Sequence, residues 1–307
     1  MNARPPKKPR DLVDGVLLID KPVGLSSNDA LIKAKRVVNA KKAGHTGTLD
    51  PFATGLLPLC FGEATKFSQD LLEADKTYDA VVHLGITTTT GDTEGETVDT
   101  RPVNVTAEQI EAALAKFRGP ILQIPPMYSA LKRDGKALYE YARAGITLER
   151  EARPVTIHKL EMLAYDAPML TIRVTCSKGT YVRVLGEDIG AELGCGAHLN
   201  ALRRIQVGSL TVDGMVTLEQ LQAHERPLAL LAPVDALLSS FPRIDLTPEL
   251  AARFLNGQRL ALNREPVTVP ETPGRVRVYH DDKLLGTALL QDYGVLAPER
   301  LIARPQG

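Results

Sequence analysis

The chain has 307 residues, 44% of them hydrophobic and 24% charged, with 37 basic and 37 acidic side chains. That is enough apolar material for a large core and too much for a disordered chain. No run approaches the ~18 consecutive apolar residues of a membrane span, and three cysteines without a CxxC pair argue against a disulfide framework or a zinc site and fit a reducing cytosol.

The charge is unevenly distributed. Residues 1–10 carry Arg4, Lys7, Lys8 and Arg10 and no acid, and read as a loose basic tail. Bases recur over Lys33–Lys42, acids dominate residues 70–111, and bases return over residues 116–159. A neutral total separated in this way can still present a basic groove to phosphates, or each run can simply be a solvated face.

Gly15–Asp20 reads as a buried strand, Lys21–Ser27 as a turn, and residues 28–39 as a helix with Leu31, Ala34 and Val38 on one face. Residues 41–66 look compact rather than periodic. Thr77–Gly85 alternates as a half-buried strand, and Thr87–Thr100 reads as a polar loop. Thr106 and Gln109 form a capping-box pattern at the head of a helix reaching Arg118. A second helix is expected over Lys136–Ala144, with Gly145 after its end. Strands follow near Val155–Leu163 and Met169–Cys176, then a helix over Thr180–Leu193 and a strand over Arg203–Val212. Several strands come in adjacent pairs. The fold class is therefore α+β, with a mixed or antiparallel sheet flanked by helices rather than a doubly wound one. A boundary is expected near Ser239–Arg243. Beyond it, Thr247 and Pro248 start a short helix, and tight turns at Asp281-Asp282 and 292–294 suit a small β-rich unit.

P-loop, GxGxxG, HExxH, GxSxG and His/Cys cluster patterns are missing. An enzyme with this sequence is expected to work by side chains alone, with no cofactor and no metal. Three segments are dense in chemistry-bearing residues. In Gly44–Lys66, Asp50 precedes Pro51 in a Gly-rich stretch that also holds His45. Asp50 either caps the turn or is a carboxylate held on a rigid loop as nucleophile or base. In Ser177–Gly190, Arg183 is either a surface base paired with Glu187 or a cation that orients a buried carboxylate. Tyr78 reads by default as core. In Ile124–Gly145, Tyr128, Tyr139 and Tyr141 alternate with Lys132, Arg133, Lys136 and Arg143. That mixture suits either unstacked nucleotides or a helix with an aromatic inner face.

Five segments, Lys21–Leu31, Gly44–Phe67, Lys76–Ala80, Ile124–Arg143 and Cys176–Gly194, fall in an order that resembles the TruB-type tRNA pseudouridine synthases. The resemblance covers about residues 15–210. Lys283–Leu301 is more loosely similar to a PUA-type RNA-binding domain. The resemblance implies a pseudouridine-synthase-type sheet over residues 11–242, with an RNA-covering thumb at about 124–145 and a PUA-like domain over 243–307. It implies isomerisation of uridine 55 in the TΨC loop of tRNA, with base flipping and no cofactor. Asp50 would be the catalytic aspartate, Tyr78 would stack on the base and serve in proton removal, and Arg183 would position Asp50. His45 would enter the loop, Tyr181 and Leu202 would line the base pocket, and Lys21 would support the site. Lys132 and Arg143, on the thumb, would touch RNA. The expected partner is the T-arm of tRNA. Neither a membrane nor an obligate protein partner is expected, and the chain should be a monomer. A non-catalytic tRNA-folding module and an aspartate-nucleophile nucleoside hydrolase are the competing readings.

Overall fold

The computed structural model describes residues 9–302. Residues 1–8 of the expected basic tail lie outside the described residues. Residues 9–11 are held: the Asn39 side-chain amide donates to the Pro9 carbonyl at 2.9 Å and to Asp11 at 2.8 Å.

One sheet of nine strands organises the first two thirds of the described chain. Its main path runs Gly15–Lys21, Thr54–Phe61, Ala197–Val207, Lys76–Leu84, Met169–Cys176, Arg153–Asp166, Gly119–Gln123. Neighbours are antiparallel except Thr54–Phe61 beside Ala197–Val207, so the sheet is mixed, as expected. Strand Met169–Cys176 alternates half-buried and buried residues because one face meets the core. Strand Thr54–Phe61 is buried on both faces and therefore reads as a continuous apolar run. Leu57, Leu59 and Phe61 enter the main core, while Leu56 and Cys60 join a second cluster with Phe67, Leu237 and Leu238. Cys60, Cys176 and Cys195 are all unpaired and buried.

A second, five-stranded sheet runs Arg243–Asp245, Gly274–His280, Lys283–Leu290, Val295–Leu301, Leu260–Ala261. Its Asp281-Asp282 hairpin turn has both residues at positive φ, 48° and 56°, as a tight primed turn requires. Leu284 and Ile302 pack on the Phe67 cluster, and Arg275 pairs with Asp70, so the two sheets share a seam. No helix among the described residues is long and apolar enough to cross a membrane.

Four expectations need correction. Residues 41–66 are not irregular throughout: they hold strands Ala43–His45 and Thr54–Phe61. Gly55 and Pro58 disguise the longer one, since Pro normally demotes a run to an edge or a bulge. Thr87–Thr100 is not a plain loop but a hairpin of Ile86–Thr88 and Thr97–Thr100. It shows no apolar alternation because neither strand contributes a buried residue. The helix expected over Lys136–Ala144 begins only at Leu138. Lys136–Ala137 pairs instead with Lys132–Arg133 around Asp134-Gly135, both at positive φ, 52° and 81°. That Asp-Gly hairpin signal was present in the sequence. Arg203–Val212 is the end of a longer strand, Ala197–Val207, followed by the two-residue strand Leu210–Thr211.

The Thr106–Gln109 capping box forms at the head of helix Ala107–Lys116. Helix Ser27–Val37 starts one residue early because Ser26 takes the N-cap and accepts from the Asp29 N–H.

Candidate active site

The site forms where the turn after Ala43–His45 meets the starts of two helices. Asp50 lies on that turn, and its carbonyl accepts from Ala53 N–H at 3.1 Å, closing the Asp-Pro bend. Around it the turn is fastened to buried groups. The Ser27 hydroxyl, at the start of helix Ser27–Val37, accepts from Leu49 N–H at 2.7 Å. Lys21 is fully buried, and its Nζ donates to Leu25, Pro22 and Pro51 carbonyls at 2.7, 2.9 and 3.3 Å. Burial lowers the Lys21 ammonium to about 8, with the Asp50 charge opposing. Arg204, 1% exposed, donates to the Leu56 carbonyl at 2.8 Å and the Gly47 carbonyl at 3.1 Å.

Arg183 comes from the first turn of helix Val182–Glu192. Its Nη2 donates to Asp50 Oδ2 at 2.7 Å and to the Tyr128 carbonyl at 2.9 Å. Its Nη1 donates to the Thr90 carbonyl at 3.0 Å and lies 3.3 Å from Asp92 Oδ2. The Arg183 and Asp92 side chains are 5% and 3% exposed, while Asp50 keeps 38% of its side-chain surface open. Arg183 is therefore a buried cation between two carboxylates, only one of which faces out. Glu187 does not take it: that carboxyl lies against Gly91, and burial pushes it up to about 7. Gly91 is at φ +71°, and a Cβ there would meet the Glu187 carboxylate at 2.7 Å. For Asp50, burial raises the carboxyl above its ordinary range and the Asp92 charge adds to this; Arg183 works against both.

Tyr78 lies on strand Lys76–Leu84, opposite Arg204 on one side and Val174 on the other. It is half-buried and packs on the main core. Burial raises its hydroxyl and the Arg204 guanidinium opposes that. Asp50 is near enough to act on the charges of both Tyr78 and Tyr181. His45, at the end of its short strand, is half-buried, and its buried Nδ1 has no hydrogen-bond partner in the described structure. Burial holds its imidazole below the usual range, so the ring is neutral near pH 7. Tyr181 is the N-cap residue of the Arg183 helix. Leu202, 8% exposed, belongs to the main core cluster with Ala80 across the strand pair.

The structure thus gathers Lys21, His45, Asp50, Tyr78, Tyr181 and Arg183 around one turn. It does not bring Lys132 and Arg143 into that cluster. Lys132 is exposed on the two-residue ribbon, and Arg143 is exposed on helix Leu138–Arg143, stacked 5.3 Å over Tyr139. Sequence reading missed Asp92, inside the segment taken as a loop, and Arg204, two residues from the Leu202 it singled out. A buried ion pair between distant segments leaves no local pattern, and Asp92 is one of four acids, with Glu94, Glu96 and Asp99, that nothing in the sequence tells apart. Among the described residues no group of three or more His, Cys, Asp or Glu side chains is placed to hold a metal ion.

Such a site offers one partly open carboxylate, hydrogen-bonded to a buried guanidinium, with Tyr78 on a neighbouring strand. Three family profiles match the chain: the TruB family pseudouridylate synthase N-terminal domain over residues 35–182, the tRNA pseudouridylate synthase B C-terminal domain over 183–239, and the pseudouridine synthase II TruB C-terminal domain over 242–302. The tRNA pseudouridine synthase B of Burkholderia lata is 64% identical over 300 residues, covering 97% of this chain and 92% of that protein. The namesake from Ralstonia nicotianae is 64% identical over 307 residues, covering 96% of each. Among solved structures, a chain of a Cbf5-Nop10-Gar1 complex aligns with a TM-score of 0.74 at 25% identity, over 94% of this chain and 85% of that one. With this agreement across the whole length, the chain belongs to the TruB family of pseudouridylate synthases.

Proposed function

We propose that the chain converts uridine 55 in the TΨC loop of tRNA to pseudouridine, with Asp50 as the catalytic carboxylate. The observation that carries the reading is Asp50 itself: partly open, on a turn fastened from three sides, and hydrogen-bonded to a buried Arg183 at 2.7 Å. The names of the relatives supply tRNA as the substrate class.

In the isomerisation the C1′–N1 bond breaks and a C1′–C5 bond forms. The C5 proton leaves and N1 gains one, so the product has the mass of the substrate. No electron or energy input enters, and the side chains present suffice. Asp50 bonds transiently to the nucleoside. Arg183 keeps it ionised and aimed, a bidentate-capable cation being better suited than Lys to holding an orientation. Tyr78 stacks on the uracil and serves in removing the C5 proton. Tyr181 and Leu202 line the base pocket, and Lys21 braces the Asp50 turn. The target base must leave its stack, which costs a few kcal/mol. Neutral His45, entering the vacated space, offsets part of that cost. Lys132 and Arg143 on the 124–145 arm meet phosphates, which position the RNA while the pocket reads the base. The 243–301 sheet is a PUA-like RNA-contacting unit packed against the catalytic domain of residues 11–242. The protein acts in the cytoplasm as a monomer, without an obligate partner.

The test is nucleoside analysis of a T-arm stem-loop incubated with purified protein and no additive. Pseudouridine is expected from wild type, and none from Asp50→Asn, with stem-loop binding within about tenfold. Free uracil would point to a hydrolase. Activity surviving in Asp50→Asn would remove the proposed role of the carboxylate. Binding lost in step with activity would favour the tRNA-folding reading.

A further inference from the structure

Gln123 ends strand Gly119–Gln123 and immediately precedes the 124–145 arm. Its side chain is buried, at 2% exposure, although it is polar. Both ends of its amide are used on one distant residue. Nε2 donates to the Tyr181 carbonyl at 3.1 Å, and Oε1 accepts from Tyr181 N–H at 3.0 Å. Only this orientation of the amide matches donor to acceptor at both points. Gln123 thus pairs with the Tyr181 main chain much as a peptide group of an adjacent strand would.

Tyr181 is the N-cap of helix Val182–Glu192 but makes no side-chain capping bond. Its carbonyl also accepts from Leu185 N–H at 3.1 Å, the first bond of the helix. A hold on the Tyr181 main chain therefore sets the first helical turn, and that turn carries Arg183. A second link lies five residues along the arm, where the Tyr128 carbonyl takes the same Arg183 Nη2 that holds Asp50. Pro125 and Pro126 stiffen the segment between the two links. On the returning side of the arm, Arg150 donates to the Pro125 carbonyl at 3.2 Å and binds the same root.

We infer that Gln123 is a positioning residue for the reaction: its amide locks the start of the Arg183 helix and ties the placement of Tyr181 and Arg183 to the root of the arm. The inference rests on the roles proposed above for Asp50 and Arg183. Gln123 touches no reacting atom. Its effect is on the angle at which the guanidinium meets Asp50 and on where Tyr181 stands. Misplacing such a group by about 1 Å costs up to ~100-fold in rate.

The experiment compares wild type, Gln123→Met and Gln123→Glu on a T-arm stem-loop. It measures the single-turnover rate of pseudouridine formation at saturating RNA, the RNA Kd, and the thermal midpoint. Met keeps the length of the side chain and loses both bonds; Glu keeps only an acceptor. Folded Gln123→Met is expected to lose about 10- to 100-fold in rate at saturation, with Kd within threefold. Gln123→Glu should show the same split, and it decides the matter if the Met variant does not fold. A folded variant with the wild-type rate at saturation would overturn the inference, as would a defect confined to Kd. Failure of both variants to fold would show a structural prop only, and would overturn it too. A wild type that makes no pseudouridine would count against the functional reading above, not against the Gln123 clamp.

Discussion

The Asp50 turn and the 124–145 arm are both rich in turn-forming residues, yet the protein holds them in opposite ways. The turn is fastened by side chains that are themselves buried: Lys21, Ser27, Arg204 and Arg183. The arm leaves Ile124, Tyr128 and Tyr139 from 37% to 54% exposed. Beyond its root, it folds on itself by local links, such as Leu138 N–H to the Leu131 carbonyl and the Tyr141 hydroxyl to the Arg133 carbonyl. Buried cations are costly unless paired, so their concentration at the Asp50 turn marks where position matters most. Exposed aromatics among bases suit stacking and phosphate neutralisation, the contacts that an unstacked nucleic acid would use. On the proposed function, chemistry calls for the first arrangement and RNA contact for the second.

The sharpest way to break this comparison is to remove the buried cation. Arg183→Met leaves Asp92 buried without its ion-pair partner and Asp50 without its aim. The rate at saturating RNA should fall by about 100- to 1,000-fold, in the range seen when one preorganised electrostatic group is lost, while RNA binding changes by less than tenfold. A comparable loss in Kd, measured by filter binding, would mean that the turn and the arm are not separable.

The next effect is the pH dependence of the rate. On the proposed mechanism Asp50 must be ionised to act, and burial raises its carboxyl above the ordinary value of 3.8. Activity should therefore fall as pH drops through this raised value, at a higher pH than for an exposed aspartate. Arg183 opposes the rise, so the residual activity of Arg183→Met should have its acid limb displaced to still higher pH. An acid limb that stays put in single-turnover profiles would break the proposed coupling.

The smallest effects should come from the arm. Lys132→Ala and Arg143→Ala should each weaken RNA binding a few-fold and flatten the salt dependence of log Kd by about 0.7–0.9 per lost phosphate contact. Neither should lower the rate at saturation by more than about twofold, because neither touches the Asp50 cluster. An unchanged salt slope would move the phosphate contacts elsewhere.

Legibility in the sequence divides along the same line. Capped helices were readable because their signals are local: Thr106 with Gln109, and Thr247 with Pro248. Strand Met169–Cys176 was readable because it has one wet and one dry face. Strand Thr54–Phe61 was not, since burial on both faces erases alternation and Pro58 argues against a strand. Asp50, Tyr78 and Arg183 could each be singled out by type and by family resemblance, but their mutual approach could not be read from periodicity. Asp92, Arg204 and Gln123 escaped notice because each works through partners 58 to 157 positions away.

What the chain order alone determined is the α+β class, most element positions, and which residue types stand in the segments that the fold brings together. These follow from hydrophobic period, capping and turn residues, all of which act over a few positions. Only the folded molecule decided that one buried guanidinium is shared by Asp50, Asp92 and the arm root, and that one amide grips the helix behind it. Burial and hydrogen bonding between remote segments set those contacts, and no local rule encodes which distant groups a low-dielectric interior will bring together.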